Sequence, residues 1–257
     1  MAAQAPLSLD PPGSPSAVDD PAPMFEAAWQ SLCARAEQGD AQAQWERGYC
    51  AEYGAVDPAG RRLIEVDLPA ARCWYEKAAD QGELAAYGSL SNLFSNSAFA
   101  QADDAEAIRW GTRAADLGSA TAAYNVGIIH RDRQDLEAAW GWYAKAAAMG
   151  DADALLQMAL CLIFGIGVAQ DRSVARLKLD TLLRADPTTV FARSIDDANY
   201  WLAVLDLIEP QGAEDRLASA RKRLLAANVD NDHEAASQLL NLIGRQRRSV
   251  PTAPTPA

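Results

Sequence analysis

Three short motifs contain residue types that could do chemistry, but each lacks the partners that the chemistry needs. His130-Arg131-Asp132 has the order of the kinase catalytic tripeptide, yet no glycine-rich phosphate loop, strand lysine or Asp-Phe-Gly accompanies it. Gly165-Ile166-Gly167 alone indicates a loop and does not predict a nucleotide site. A set of potential metal ligands stands at a predicted helix start, where acids satisfy free backbone N–H groups: Asp230, Asp232, His233 and Glu234.

The cysteines and histidines form no catalytic or metal-binding pattern. Cys33, Cys50, Cys73 and Cys161 have no paired short spacing, which argues against a zinc site or a dense disulfide framework. We interpret each cysteine as a small apolar residue in a helix interface, with a Cys50–Cys73 bridge as the alternative for an exported protein. With two histidines and no nucleophile beside a base, we expect no enzyme activity, no cofactor and no catalytic metal.

Charge and hydropathy exclude two classes of partner. The net charge is −12, which argues against nucleic acid and anionic membranes, because both attract clustered lysine and arginine. The basic run at residues 245–248 lies where a last helix should end, and there it complements the helix dipole. The strongest apolar run, residues 154–168, is too short for membrane insertion, and the chain start lacks a signal-peptide pattern. We therefore expect a cytoplasmic protein.

A recurring glycine predicts the helices that would position any functional residue. A run of small and apolar residues ends at glycine in four places, 32 to 43 residues apart: Gly39, Gly82, Gly118 and Gly150. Repeats of this length are single helix pairs, and a glycine at the end of a helix favours a left-handed cap. Because one pair cannot bury its apolar face alone, the sequence predicts an all-α solenoid of stacked antiparallel helix pairs.

Columns of matching residues support this fold. We name the first helix of each repeat helix A and the second helix B. Helix A has small residues four and nine positions after the glycine, which predict close helix contacts: Ala43, Ala86, Ala122 and Ala154, then Gly48, Ser91, Gly127 and Ala159. Helix B has a large ring three residues after a small residue, so we expect the rings to fill the spine of the stack: Trp74, Trp110 and Trp142 after Ala71, Ala107 and Ala139.

Proline placement predicts the domain organisation. Residues 1–24 and 249–257 hold most of the prolines and little apolar surface, so we expect a disordered leader and tail. Residues 25–186 are the predicted repeats, and residues 187–248 are a degenerate repeat with capping helices. The remaining prolines fall in predicted loops or first helical turns, where proline is tolerated: Pro58, Pro69, Pro187 and Pro210.

The repeats resemble the Sel-one-like repeat family, which is related to tetratricopeptide repeats. The most similar stretch runs from Gly150 through the loop at Phe164-Gly165-Ile166-Gly167-Val168 to Asp171. Residues 74–79 and 142–147 are similar to the family's helix B ending. The resemblance implies a bacterial, non-catalytic scaffold or adaptor that binds a protein or peptide segment on a concave face formed by the A helices. The partner's identity and the oligomeric state stay open.

Carrying the concave positions over from the family selects the candidate site. They are Trp45, Tyr49, Asn92, Tyr124, Ile128, Arg131, Leu156, Leu160 and Ile163. Trp45 and Tyr49 either anchor a partner or pack on the leader or the next helix. The helix containing Leu156 is apolar on every side, so either C-terminal helices or a partner must cover it. An alternative function is an acidic inhibitor or immunity-type protein that neutralises a basic toxin or enzyme.

Overall fold

A computed structural model describes residues 22–56, 62–208, 213–230 and 232–249, and most of the residues in these ranges lie in helices. It contains two compact units, Met1–Ile129 and His130–Ala257, which we call unit 1 and unit 2 and treat separately. The all-α prediction is confirmed, because the described helices form stacked adjacent pairs. Our predictions for Pro58, Pro210 and most of the leader and tail concern residues outside the described ranges.

Unit 1 contains the first repeats. Its helices are α1 (Ala22–Glu37), α2 (Ala41–Tyr53), α3 (Leu68–Asp80), α4 (Leu84–Ser95), α5 (Asp104–Asp116) and most of α6 (Ala120–Asp132). Neighbouring helices along the chain pack on each other, with α2 on α3 and α4 on α5. The loop of the first repeat adds a short antiparallel hairpin that the sequence did not predict, β1 (Ala55–Val56) with β2 (Arg62–Ile64).

Unit 2 continues with the fourth repeat and the C-terminal helices. They are α7 (Leu136–Ala148), α8 (Asp153–Phe164), α9 (Arg172–Leu182), α10 (Ala192–Ile208), α11 (Ala213–Ala226) and α12 (Glu234–Ser249). The apolar core of α8 and α9 extends into α10, where Leu202 and Leu205 are fully buried. A second core cluster joins α10, α11 and α12 around Leu224.

The four repeat glycines have the left-handed backbone that the sequence predicts. Gly39, Gly82, Gly118 and Gly150 have φ between +86° and +103°, a region that side chains with a Cβ rarely adopt. At each of them the chain leaves helix B and turns into the next helix A. Pro69 lies in the first turn of α3, and Pro187 lies between α9 and α10, both as predicted.

Small residues bring the helices close together, as their columns predict. Ala43, Ala86 and Ala154 have no exposed surface. A Cβ at Gly48 would lie 2.6 Å from the Tyr75 ring, so the ring occupies the space that glycine leaves. Gly111 has the same role on α5, where an added Cβ would lie 2.5 Å from Val126 Cγ2. The close approach of α2 to α3 and of α5 to α6 therefore depends on these glycines.

The prediction for the tryptophans is wrong in its details. Trp74, Trp110 and Trp142 are half-buried, and the next residue in two of the repeats is the fully buried ring, Tyr75 or Tyr143. Each of the three tryptophans has a cation of the chain over its ring. A tyrosine can enter the interior when its hydroxyl finds a partner, and Tyr75 finds one in Glu52.

The C-terminal helices of unit 2 are joined by a buried ion network. The carboxylate of Asp206 on α10 accepts from Arg176 at 2.7 Å and from the Ser219 hydroxyl at 2.8 Å, and it lies 3.3 Å from Arg223. Its side chain is almost fully buried, so these donors compensate for the lost hydration of the charge. No helix in the described part of the chain has the length and apolar character needed to cross a membrane.

Candidate protein-binding face

A row of three aromatic side chains lies along α2, one helical turn apart. The ring centroids of Trp45 and Tyr49 are 6.0 Å apart, and those of Tyr49 and Tyr53 are 4.6 Å apart. The helix begins where the Asp40 carboxylate accepts a hydrogen bond from the Ala43 N–H at 2.9 Å. Spacing by four residues places the rings on one side of the helix. Trp45 and Tyr49 are half-buried, and Tyr53 is exposed.

A buried carboxylate lies at the C-terminal end of this row. Glu52 is 8% exposed, and it accepts a hydrogen bond of 2.6 Å from the Tyr75 hydroxyl. Tyr53 also hydrogen-bonds to Glu52. Burial raises the pKa of the Glu52 carboxyl, and the two tyrosine hydroxyls act in the opposite direction. The same burial, together with the nearby charge of Glu52, raises the pKa of Tyr75 and Tyr53 well above the usual tyrosine value.

Hydrogen bonds connect α2 to α4 and α4 to α6. The indole N–H of Trp45 donates to the Ser89 hydroxyl at 3.0 Å, and the Asn125 amide donates to the Asn92 side-chain oxygen at 3.0 Å. Asn92 is exposed, and Tyr124 and Ile128 on α6 are half-buried. The A helices of unit 1 thus present one continuous surface. We call it the helix-A face: Trp45, Tyr49, Tyr53, Ser89, Asn92, Tyr124 and Ile128.

The middle of the helix-A face is small and uncharged. α4 contains no charged residue, and a Cβ added at Gly88 would meet no atom within 4 Å. Rings on α2 and α6 therefore flank a helix with open space beside it. Trp45 does contact the next A helix, which is one of the two alternatives for this residue. Its half-buried ring still contributes to the surface of α2.

In unit 2 the predicted positions have a different environment. Leu156 and Ile163 are buried in the core that contains Leu202 and Leu205 of α10, and Leu160 packs against the same cluster. The sequence left open whether C-terminal helices or a partner cover α8, the helix that contains these residues. In the structure, the C-terminal helix α10 packs against it. Arg131 is half-buried at the end of α6, where its guanidinium pairs with Asp132 at 2.8 Å.

The residues with potential for chemistry have structural surroundings. His130 lies 3.1 Å from Asp135, the N-cap residue of α7. Burial raises the pKa of the Cys50 thiol to about 11, which disfavours a reactive thiolate. All four cysteines are free, so the Cys50–Cys73 bridge is absent. Cys73 is exposed, which makes the interface prediction wrong for this cysteine.

The predicted acidic cap of α12 is in fact a histidine cap. The Ala236 N–H donates to Nδ1 of His233 at 3.2 Å, so Nδ1 is the acceptor and Nε2 carries the hydrogen that faces Asp197 at 3.2 Å. The imidazole supplies the cap, and of the predicted acids Glu234 lies in the first turn of the helix. Among the described residues, no group of three potential ligands could hold a metal ion.

Sequence reasoning identified Trp45 and Tyr49 but missed Tyr53, Tyr75 and Ser89. Tyr53 could have been found, because it continues the spacing of four residues from Trp45 and Tyr49. Tyr75 and Ser89 belong to other helices, and only the packing of α3 and α4 against α2 brings them to the site. No local pattern indicates these contacts.

Comparisons with known proteins agree with this architecture. The Sel1 repeat model matches residues 41–83, 85–119, 120–151 and 152–176, which together exceed half of the chain. The fold is similar to a protective antigen of uropathogenic Escherichia coli strains that displays an SLR fold, with a TM-score of 0.66 and 24% identity. It is also similar to a Sel1 repeat protein from Oxalobacter formigenes, with a TM-score of 0.66 and 25% identity.

The similarity to both structures covers 85% of this chain, but only 44% of the Escherichia coli protein and 60% of the Oxalobacter formigenes protein. The chain therefore spans about half the length of the solved structures that it matches. A comparison with curated proteins gave no match.

Proposed function

The chain belongs to the Sel1 repeat family, whose members are generally scaffolds for protein–protein interaction, and we propose that it binds a segment of a partner protein on the helix-A face of unit 1. The proposal assigns partner contacts to Trp45, Tyr49, Asn92, Tyr124 and Ile128. It assigns no catalytic role to any residue.

The observation that carries the proposal is the difference between two sets of positions on the same helices. The small residues that hold the stack together, such as Ala43 and Ala86, have no exposed surface. The rings of Trp45, Tyr49 and Tyr124 keep part of their surface accessible. Large apolar side chains at accessible positions are typical of the anchors of protein interfaces. The stack does not require rings of this size there.

The face offers both kinds of contact that a peptide needs. Its rings and Ile128 can bury apolar side chains, and the Asn92 and Ser89 side chains can bond to a peptide backbone. The open space beside Gly88 lets an extended or helical segment approach α4 closely. Apolar contacts would supply the affinity, and polar contacts would fix the register.

A double substitution tests the proposal. We expect Tyr124→Ala with Ile128→Ala to reduce strongly the recovery of partner proteins in affinity capture from the native cell, measured by mass spectrometry. Leu117→Ala is the matched control, since Leu117 is 55% exposed and lies outside the helix-A face. Unchanged recovery with the double variant, at normal helix content and melting temperature, would overturn the proposal.

The net charge of −12 supports a second candidate, an acidic protein that neutralises a basic toxin or enzyme. Long-range attraction speeds the association of such pairs and is screened by salt. A steep fall of the association rate constant with ionic strength would favour the inhibitor. A weak salt dependence would favour binding of a partner segment on the helix-A face.

A further inference from the structure

We propose that His233 is a pH-responsive cap of α12, which holds the first turn of this helix while the imidazole is neutral and releases it when the ring is protonated. This inference concerns unit 2 and is independent of partner binding on the helix-A face. Three features of the described residues support it: the hydrogen bonds of the imidazole, its burial, and the apolar surface that α12 covers.

The first feature is the position of the imidazole at the start of α12. The His233 carbonyl accepts a hydrogen bond from the Ser237 N–H at 3.1 Å, and its Nδ1 accepts one from the Ala236 N–H at 3.2 Å. These are the two bonds that an N-cap residue makes, and asparagine, aspartate, serine and threonine are the residues preferred in this role. Unlike asparagine, serine or threonine, histidine changes its charge between about pH 5 and about pH 8.

The two ring nitrogens cannot both keep their partners after protonation. Nδ1 is the acceptor of the cap bond, so the hydrogen of the neutral ring is on Nε2, 3.2 Å from the Asp197 carboxylate. A protonated imidazole has a hydrogen on both nitrogens and accepts no bond. The Nδ1 hydrogen would then face the Ala236 N–H, whereas the contact with Asp197 would become an ion pair. Protonation therefore keeps the ring on α10 and removes its bond to α12.

The second feature is the burial of the imidazole between α10 and α12. His233 is 3% exposed, and the centroid of its ring lies 5.1 Å from that of Tyr200. Its backbone N–H donates to the Asn228 side chain at 2.9 Å, and the Asn228 amide donates to the Ser237 hydroxyl at 2.9 Å. These contacts hold the ring in place. Because Ala236 is fully buried, water is a poor substitute for the bond that its N–H loses.

Charged groups on the neighbouring elements act on the proton of the ring. They are Arg193, Asp196 and Asp197 on α10, Asp230 and Asp232 after α11, and Glu234 on α12. Carboxylates favour the protonated ring, and the partial positive charge at the start of α12 opposes it. Burial raises the pKa of Asp196, the charge of Asp232 raises it further, and the charge of His233 lowers it. Asp196 is thus the neighbour from which the response of His233 has to be separated.

The third feature is the apolar surface beneath α12. Ala236 and Ile243 of this helix are buried in the cluster that contains Leu224 of α11 and Ala203 of α10. α12 is the last helix of the described ranges, and it packs on α11. Helices at the end of a chain open more easily than the core of a domain. Loss of the cap therefore loosens a helix whose release uncovers apolar residues of α10 and α11.

Amide hydrogen exchange followed by NMR on the full chain tests this inference. Exchange of the Ala236 and Ser237 amides would be measured at about pH 5 and about pH 8, with correction for the intrinsic exchange rate at each pH. We expect the protection factors to be about 5-fold lower at acid pH, the factor that corresponds to loss of a typical N-cap bond. The amides of α8 are the internal reference and should keep their protection.

Three substitutions separate His233 from its neighbours. His233→Asn keeps a cap acceptor that cannot be protonated, so the protection of the first turn should be the same at both pH values. Asp196→Asn removes the neighbouring carboxyl, and the response should persist. His130→Asn is the matched control at the other histidine of the chain, and it should leave the response of α12 unchanged.

The ring itself is observable in the unmodified chain, so the test does not depend on the folding of a variant. Correlation spectra of the ring nitrogens should show His233 with hydrogen on Nε2 at about pH 8. The ring should become protonated over the same pH range in which the Ala236 amide loses protection.

Four outcomes would overturn the inference. One is a neutral ring with its hydrogen on Nδ1, which could not accept the cap bond. Another is a loss of protection that persists in His233→Asn, which would assign the response to a carboxyl group. A loss shared equally by α8 would show unfolding of the whole unit. Unchanged protection of Ala236 while the ring becomes protonated would show that the cap does not respond to pH.

Discussion

Helices α4 and α8 occupy the same place in their repeats but have opposite environments. Six positions after the repeat glycine, α4 has Gly88 with open space beside it, and α8 has Leu156, which is 5% exposed. Ten positions after the glycine, Asn92 is exposed, whereas Leu160 packs against the core of unit 2. In unit 2, α10 covers the side of α8 that α4 leaves accessible in unit 1. Repeat position alone therefore does not define a binding residue, because cover by another helix changes its role.

The prediction with the largest expected effect concerns the packing of α10 over α8 in unit 2. Leu202→Ala removes a fully buried side chain of α10 from the cluster that encloses Leu156 and Ile163. We expect the free energy of unfolding to fall by about 2–5 kcal/mol, because the cavity can collapse only partly. Urea denaturation measures the change. Leu177→Ala is the control, since Leu177 is 59% exposed and should change stability by only about 0.5 kcal/mol. An equal loss of unfolding free energy in both variants would contradict the packing of α10 over α8.

The second prediction concerns the hydrogen bond between Tyr75 and Glu52, at the C-terminal end of the aromatic row on α2. Tyr75→Phe removes the hydroxyl that donates to Glu52, and the buried carboxylate loses this hydrogen bond of 2.6 Å. We expect a loss of about 1.5–3 kcal/mol at pH 7, the range for hydrogen bonds to charged groups. Tyr53→Phe should cost less, because Tyr53 is exposed and water can replace its hydroxyl.

The cost of Tyr75→Phe should depend on pH with a definite sign. Burial raises the pKa of Glu52 in the folded chain above its usual 4.5, so this group destabilises the fold as pH rises through the folded pKa. The Tyr75 hydroxyl opposes that shift, and its removal raises the pKa further. The stability difference between wild type and variant should therefore be smaller near pH 4 than at pH 7. A difference that grows toward acid pH would contradict this assignment.

A pair of glycines in unit 1 separates closed packing from open surface. Gly48→Ala places a Cβ 2.6 Å from the buried Tyr75 ring, and overpacking of this kind costs about 1–3 kcal/mol. Gly88→Ala meets no atom within 4 Å and should stabilise the helix by about 0.5–1 kcal/mol. Thermal unfolding of the two variants measures both changes. A destabilised Gly88→Ala would mean that the space beside α4 is not open.

The sequence predicted the repeats well, because each repeat glycine is required by its own backbone conformation. Positive φ at Gly39, Gly82, Gly118 and Gly150 is a local constraint on the backbone. Because every repeat has the same constraint, glycine recurs at the same position of each repeat in the sequence. The small residues of helix A are similarly constrained by the close approach of neighbouring helices. The helix pairs could therefore be located without a structure.

The environment of the site was less predictable, because it depends on contacts between distant residues. Trp74 and Tyr75 are adjacent in sequence, and the hydrogen bond from the Tyr75 hydroxyl to Glu52 joins residues 23 positions apart. The histidine cap of α12 depends on Asp197, which is 36 residues away. The cover of Leu156 depends on α10, beyond the last clear repeat. None of these contacts is indicated by a repeated pattern in the sequence.

The smallest expected effect compares two tryptophans of unit 1. Trp45→Phe removes an indole N–H that donates to Ser89 at 3.0 Å, which should cost about 0.5–1.5 kcal/mol in addition to the lost contact area. Trp110→Phe removes a similar area, but the buried Trp110 N–H has no hydrogen-bond partner among the described residues. Removing an unsatisfied donor relieves a desolvation cost, so we expect Trp110→Phe to be the milder change. Chemical denaturation of both variants measures the difference. A smaller loss for Trp45→Phe would mean that the Trp45–Ser89 bond does not join α2 to α4, and the helix-A face would lose one of its two connections.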